Sequence, residues 1–481
     1  MNLQAETARG VKWVAGAKLA SQLITWVVTI VVMRLLVPGD YGLLAMATVL
    51  LGLLSMFSEV GLGPALVQRR DVSDQEMRQA LSIIWIVNLA LCLLANLLAP
   101  QVAAFYHEAR LQSVVHVLSL QFLLVPLTVL PDVRMQRRLE YRQRSLIELT
   151  ATLAASGLTL LLALQGVGVW ALVGGALIGV LWRAVALNIC APGVWRPSLA
   201  LGGMRHFLLF GGSVTGTRLL WYGFNQMDVI IVGRLLGEQQ LGLYAVSMHL
   251  ASLPLQRITA ILNQVLFPAL ARAQEDLEAI RSSLLVTLGY VGLVAFPVLW
   301  GMASVAPELV AVVLGPGWEG AVLPLQALCV IMPFRSLIGL LPTVTDALGH
   351  PGAGFRNMLL ASVVMPPAFY IGAQWGVAGV ALAWLMVYPF VMLINMRRLL
   401  GVIGISSKAV LRRTGPAIAC AALMLAAVTL LRPSLAGAPR LHALVLEIAA
   451  GVLAYGACSF LFNRSMLGEL KQMMSRSTVK G

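Results

Sequence analysis

The sequence predicts an all-α polytopic membrane protein of about 14 transmembrane helices. They form two six-helix lobes in a pseudo-twofold arrangement, plus two C-terminal helices. Three observations predict this: composition, the spacing of apolar runs against basic residues, and an internal repeat. Of 481 residues, 59% are apolar and 11% charged, whereas a soluble domain is roughly a quarter charged. The composition excludes a disordered chain and a cytosolic enzyme. No polar stretch reaches the roughly 50–100 residues of an independent domain.

The apolar runs fall at 11–33, 40–66, 80–104, 111–131, 146–165, 167–190, 207–233, 240–268, 283–304, 320–346, 357–373, 376–396, 415–431 and 441–462. Short Gly-containing turns, Gln165-Gly166-Val167-Gly168 and Gln374-Trp375-Gly376, separate the fifth from the sixth and the eleventh from the twelfth. With the N-terminus in the cytoplasm, 24 of the 34 Lys and Arg residues fall on the cytoplasmic side, 5 on the far side and 5 within runs. Cytoplasmic loops carry such an excess, so both termini are expected there. Most of the net charge of +14 is then orientation signal. The clusters Arg134–Arg144 and Arg397–Arg413 need no nucleic acid and suit anionic lipid headgroups. The first run is too long for a cleavable signal and lacks a small-residue cleavage site. The five cysteines (92, 190, 329, 420, 458) lie in or beside apolar runs without a CxxC pair, and read as packing residues.

The repeat has an offset of 200. Arg34-Leu35-Leu36, Gly42-Leu43 and Ala45 match Arg234-Leu235-Leu236, Gly242-Leu243 and Ala245, and Pro64-Ala65-Leu66 is echoed by Pro268-Ala269-Leu270. Both copies end odd-numbered spans, so the repeat is parallel. The expected organisation is a lobe at 1–195, a second at 196–400, and two helices with a tail at 401–481. Like-oriented halves about an axis along the membrane normal are a transporter layout, with the substrate site between the halves.

Ionisable groups inside a bilayer are costly and usually face a cavity or a partner. Those within the runs are mostly cationic: Lys18, Arg183, Arg218, Arg257 and Arg335, against Glu59, Asp228, Asp346 and Glu447. Helical spacing groups the polar residues into stripes. Lys18, Gln22, Thr25 and Thr29 share one face of span 1. Thr215, Arg218, Tyr222, Asn225 and Asp228 share one face of span 7. Ser252, Gln256, Thr259 and Asn263 share one of span 8, beside Arg257. Such stripes should converge on a hydrated cavity. Arginine walls suit a phosphorylated anion, which the guanidinium fork grips with two hydrogen bonds. The alternatives are snorkelling for Lys18 and Arg183, and for Asp228 either a counter-ion role or a coupling-cation ligand. Pro254, Pro297, Pro333, Pro366-Pro367 and Pro389 are bends or hinges. HExxH, GxxxxGK and GxSxG are absent from the sequence, so no catalytic constellation is expected.

Several stretches carry a resemblance. Arg34–Gly42 (RLLVPGDYG), Gly61–Arg69 (GLGPALVQR), Gly166–Leu172 (GVGVWAL), Asp228–Tyr244, Leu266–Leu270 (LFPAL) and Gly315–Glu319 (GPGWE) occur in order over about residues 10–400. The chain thereby resembles the lipopolysaccharide/O-antigen and colanic-acid-type flippases of the multidrug/oligosaccharidyl-lipid/polysaccharide exporter superfamily. The resemblance implies two lobes forming a V that opens alternately inward and outward. It implies an undecaprenyl-pyrophosphate-linked oligosaccharide as cargo. It also implies cavity cations on spans 1 and 8, where this chain has Lys18 and Arg257. Sodium sites in that group use an acid on span 7, which Asp228 matches, with polar groups on spans 11 and 12. Span 11 here has no acid, leaving proton and sodium coupling both open.

The expectation is an inner-membrane flippase without a cofactor. The pyrophosphate sits among Lys18, Arg218, Arg257 and Arg335, with Gln22, Thr25, Tyr222 and Asn225 lining the site. Its partners are the lipid-linked glycan, membrane lipids and polysaccharide polymerase or assembly proteins, with no nucleic acid. The rival readings are a drug/cation antiporter, a membrane enzyme polymerising lipid-linked glycans, and a scaffold of a glycan assembly complex.

Overall fold

The computed structural model describes residues 24–58, 73–192, 205–272, 277–435 and 437–464, with single positions at 16, 21, 22, 66, 466 and 468. The side chains of 205–218, 256–272, Ala347 and Pro351 are excepted. The Gly61–Arg69 motif, Leu66 apart, and the side chains of Pro268-Ala269-Leu270 lie outside the described residues. Among the described residues every regular element is helical.

The helices are α1 (Ile24–Leu35), α2 (Pro38–Ser55), α3 (Asp74–Tyr106), α4 (Arg110–Ser119), α5 (Gln121–Arg137), α6 (Tyr141–Leu164), α7 (Val169–Cys190), α8 (Arg205–Arg272), α9 (Leu277–Ser304) and α10 (Ala306–Leu309). They continue as α11 (Val322–Gly339), α12 (Leu341–Ala347), α13 (Pro351–Ala373), α14 (Gly376–Met386), α15 (Tyr388–Ile403), α16 (Ser407–Leu431) and α17 (Arg440–Phe462). Among the described residues, 10 helical stretches are long and apolar enough to cross a membrane, and α1 is a shorter apolar helix. One of these stretches, Gly352–Ile403, runs to 52 residues with a turn at Gln374-Trp375.

Local chemistry sets the helix ends. Ser73 caps α3: its hydroxyl accepts from the Glu76 N–H at 3.2 Å, and the Glu76 carboxylate accepts from the Ser73 N–H at 2.8 Å. This reciprocal pair satisfies two otherwise orphaned donors. Pro38 opens α2, where its missing N–H costs nothing, and Asp40 accepts from the Val37 N–H at 3.3 Å. Ser406 caps α16 by accepting from the Ala409 N–H at 3.2 Å. α8 is two helices joined at Gly237, whose φ of 77° and ψ of −178° are open to glycine alone.

The chain divides into two compact units, Met1–Gly242 and Leu243–Gly481. In the first, α3 packs on α4 and α5, and α7 on α5 and α6. Ala80, Leu81 and Ile84 of α3 meet Val129, Leu130 and Val133 of α5. Val32 and Leu36 meet Ala163 and Ala171. In the second unit, α9 is the central post, flanked by α11 and α16. Leu284, Leu288, Val291 and Phe296 of α9 form its core with Leu400 and Ile403 of α15 and Met424 of α16. Outward faces stay apolar: Val445, Leu453 and Leu461 of α17 are 57%, 73% and 64% exposed. A soluble surface would not tolerate such a stripe; lipid does.

The two copies of the repeat pack against each other inside the first unit. A Cβ on Gly42 would lie 1.9 Å from the Glu238 carbonyl oxygen, and one on Gly242 would lie 1.7 Å from the Pro38 carbonyl oxygen. Positions 38 and 42 are matched to 238 and 242 by the same offset of 200, so the contact is reciprocal. Between them, Gly39 faces Gln239, with a would-be Cβ 3.0 Å from the Gln239 Nε2. Gly42 and Gly242 each let a backbone approach that no side chain permits.

Gly42→Ala or Gly242→Ala must push a backbone carbonyl aside, at a cost of about 1–3 kcal/mol. A lowered thermal unfolding midpoint of the purified protein is the expected outcome. Gly157→Ala, where a Cβ meets nothing within 4 Å, should leave it unchanged or raise it by the helix-propensity gain of about 0.5–1 kcal/mol.

Candidate functional site

Lys18 lies outside the described residues, as do the side chains of Arg218 and Arg257; the backbone of the latter two is helical, on either side of Gly237 in α8. Gln22 is half-buried and Thr25 exposed, its hydroxyl donating to the Ser21 carbonyl at 2.8 Å. Tyr222, Asn225 and Asp228 share one stretch of α8, as their spacing required. The Tyr222 hydroxyl lies 3.1 Å and 2.9 Å from the carbonyl oxygens of Thr48 and Val49, and thereby ties α8 to α2. Its ring occupies the space that the missing side chain of Gly52 leaves, since a Cβ there would lie 2.3 Å from the hydroxyl. Asn225 donates to the Trp221 carbonyl at 2.8 Å. Asp228 is 3% exposed and accepts from the Val229 N–H at 2.9 Å.

Arg335, on α11, belongs to the second unit and stands on an aromatic platform. Its guanidinium lies 4.2 Å from the centre of the Trp384 ring and 5.7 Å from that of Tyr388. Trp384 is 2% exposed, packs against Phe369 at 5.1 Å, and donates its indole N–H to the Tyr244 hydroxyl at 2.9 Å. The half-buried guanidinium rests on these π faces, a favourable cation–π arrangement. Among the described residues no ion pair engages its donors, and its one hydrogen bond is to the Met332 sulfur at 3.9 Å. The spacing of α14 and α15 gave no sign that Trp384 and Tyr388 would flank Arg335, because an aromatic pair four apart on an apolar helix reads as core.

Arg183 is engaged in ion pairs, which its position in an apolar run did not foretell. It pairs with Glu148 at 3.1 Å and Asp132 at 3.6 Å, and Asp132 also receives Arg144 at 2.7 Å. Of the five basic residues on the expected far side, Arg110 and Arg432 are held by carboxylates and Arg234 by rings. Arg110 bridges Glu108 at 2.8 Å and Glu238 at 3.3 Å. Hydrogen bonds from Arg110 hold the Glu108 carboxyl below the usual carboxylate range. Arg234 reaches the His107 ring and lies 5.3 Å from the centre of Phe105. Arg432 pairs with Glu308 and Glu447. Glu148 and Glu308 had no periodic signal in the sequence; their partners Arg183 and Arg432 are distant along the chain. Among the described residues no group of His, Cys, Asp and Glu is arranged to hold a metal ion.

Residues 31–323 match the family described as polysaccharide biosynthesis protein. More than half of the chain is covered, and the protein belongs to that family. The chain is similar to the lipopolysaccharide biosynthesis protein WzxC of Escherichia coli K12, with 27% identity over 80% of this chain and 79% of that one. It is also similar to the succinoglycan biosynthesis transport protein ExoT of Rhizobium meliloti 1021, with 25% identity over 80% and 78%. Its fold is that of a solved lipid II flippase, MurJ, in an inward closed conformation: TM-score 0.75 at 12% identity, covering 94% of this chain and 99% of that one. An inward-facing multidrug transporter of the MATE family shares it at a TM-score of 0.59 and 14% identity, covering 80% and 96%. The protein is thus a multi-pass membrane protein of the polysaccharide biosynthesis family.

Trp384→Phe keeps a ring under Arg335 but loses the indole donor, at a cost of about 1 kcal/mol. Trp384→Leu removes the platform, at about 3 kcal/mol. The thermal midpoint should fall in that order, and modification of Arg335 by a guanidinium-selective dicarbonyl should accelerate in Trp384→Leu alone.

Proposed function

We propose that this protein flips a polyprenyl-pyrophosphate-linked oligosaccharide across the bacterial inner membrane by alternating access. The observation that carries the reading is the reciprocal packing of two parallel repeat copies, in a chain whose family is polysaccharide biosynthesis and whose fold a lipid II flippase shares. Two like-oriented halves around one axis are what a transporter needs to present one site to either side. On this reading the chain crosses the membrane 14 times, both termini are cytoplasmic, and the lobes are 1–195 and 196–400, followed by two helices in 401–481.

The pyrophosphate is held by Lys18, Arg218, Arg257 and Arg335. Gln22, Thr25, Tyr222 and Asn225 line the site, and Asp228 serves as counter-ion to these cations or as ligand to a coupling ion. A diphosphate sheds part of its hydration shell on entering the bilayer, and fixed guanidinium groups replace those hydrogen bonds without reorganising. Arg335 illustrates how such a group is kept available: cation–π support from Trp384 orients it without neutralising it. The sugars occupy water in the vestibule, and the prenyl chain remains in lipid. Polymerase and assembly proteins that consume the exported unit are the partners this implies.

Arg218→Ala and Arg257→Ala should each abolish export while the protein reaches the membrane at wild-type level. The measurement is the fraction of lipid-linked glycan accessible to a membrane-impermeant glycosidase in intact spheroplasts. Wild-type accessibility in both variants would remove the site from the proposal. Drug efflux by the purified protein, or longer glycan chains formed by it, would replace the reading with an antiporter or a polymerase.

A further inference from the structure

Among the described residues of the second unit, Glu447 is the most buried carboxylate. It sits on α17 with no exposed surface. Around it, Val305, Val428 and Leu444 form a buried apolar cluster against which Leu309 and Val312 pack. Two charged groups share this pocket. Arg432, in the turn after α16, lies 3.5 Å from Glu447 through its Nε and 3.2 Å from Glu308 of α10 through an Nη. The same guanidinium donates to the Ser304 carbonyl at the end of α9.

The charges do not balance: two carboxylates face one guanidinium. Nor are the hydrogen bonds complete. Both Glu447 oxygens and Oε2 of Glu308 are buried without a hydrogen-bond partner, as is the Nε of Arg432. A surplus negative charge in such a setting costs several kcal/mol, and a buried acid ordinarily escapes that cost by taking up a proton. Among the described residues on the helices packed around it, no other ionisable group supplies the balance. On its own helix, Arg440 and His442 are exposed, five or more residues earlier. α9 and α16, which pack on α17, carry Glu278 and Arg281, and Lys408, Arg412 and Arg413, at their opposite ends.

We propose that Glu308, Arg432 and Glu447 form a proton-binding site, with Glu308 ionised against Arg432 and Glu447 carrying the proton at neutral pH. Glu447 is the acceptor because it is the more buried carboxyl and the farther from the guanidinium. Its O–H then donates to the Glu308 carboxylate, which completes the three-membered network. Loss of the proton to water leaves two carboxylates on one cation in an apolar pocket, and their repulsion drives the α16–α17 pair away from α9. The site thus names the proton as the ion that couples to movement. That coupling rests on the transport reading above; proton binding itself does not.

The test is difference infrared spectroscopy of the full chain in lipid nanodiscs during a pH titration. A carbonyl-stretch band of a protonated carboxylic acid should be present at neutral pH and vanish in Glu447→Gln. It should vanish in Glu308→Gln as well, because one carboxylate against one arginine leaves Glu447 no reason to hold a proton. Glu447→Gln, which mimics the protonated acid, should retain the wild-type thermal midpoint, whereas Arg432→Ala should lower it. Absence of the band, its survival in Glu447→Gln or in Glu308→Gln, or a midpoint in Glu447→Gln as low as in Arg432→Ala would overturn the proton site. Coupling is read separately. An imposed pH gradient should change the rate of flipping of a fluorescent undecaprenyl-pyrophosphate glycan in wild-type proteoliposomes and leave Glu447→Gln unaffected. A wild-type rate indifferent to the gradient would overturn the coupling while leaving proton binding and the flippase reading intact.

Discussion

Two glycines matched by the repeat set the closest approach of the backbone. Gly42 and Gly242 each admit a carbonyl oxygen into the volume that a methyl group would fill, and the contact of one is the image of the contact of the other. A reciprocal contact is self-complementary in the way a twofold dimer interface is. Here both surfaces belong to one chain, so a duplicated segment closes on its own copy. Packing elsewhere in the first unit follows from that closure. Arg234 stacks beside Phe105, Glu238 receives Arg110, and the Tyr222 hydroxyl meets the α2 backbone. Each of these joins α8 to an element of the opposite copy or its neighbours.

Electrostatics divides the basic residues into two groups with different physics. At the helix ends, arginines are engaged by carboxylates: Arg110 with Glu108 and Glu238, Arg183 with Glu148, Arg432 with Glu308 and Glu447. Pairs of this kind fix geometry and contribute little net stability where water reaches them. Arg335 is different. Aromatic faces support it, and its donors stay largely unspent. A guanidinium kept charged but unneutralised is suited to meet an anion; one already paired is not.

The helices were legible because their signals are local. Apolar runs of about 20 residues, basic residues between them, and Ser or Pro at the starts require only the chain's own order. Gly237 stands between the runs 207–233 and 240–268, and the backbone leaves helical geometry there, so that α8 is two helices meeting at a kink. The repeat was legible as a match of letters, while its meaning, that Gly42 touches Glu238, needed three dimensions. The site was legible by halves. Helical spacing placed Tyr222, Asn225 and Asp228 on one stretch of α8, yet could not show that the Tyr222 hydroxyl is engaged by α2. Arg335 was visible as a cation inside an apolar run, whereas Trp384, more than 40 residues on, was indistinguishable from core. Arg183 was visible as a cation inside an apolar run, whereas its pairing with Glu148, 35 residues earlier, was not.

The reciprocal contact is tested most directly by a single cross-link. Gly39→Cys and Gln239→Cys, introduced into the full chain with its five native cysteines replaced, place two thiols on facing positions of the two copies. Mild oxidation in native membranes should form the intramolecular bond rapidly, seen as a reductant-sensitive link between fragments after cleavage at a protease site engineered between residues 192 and 205. Efficient trapping would establish that the two copies meet as described. Failure to link, beside ready linkage of Gly39→Cys to a thiol placed one helical turn away from 239, would contradict the reciprocal register on which the account is built.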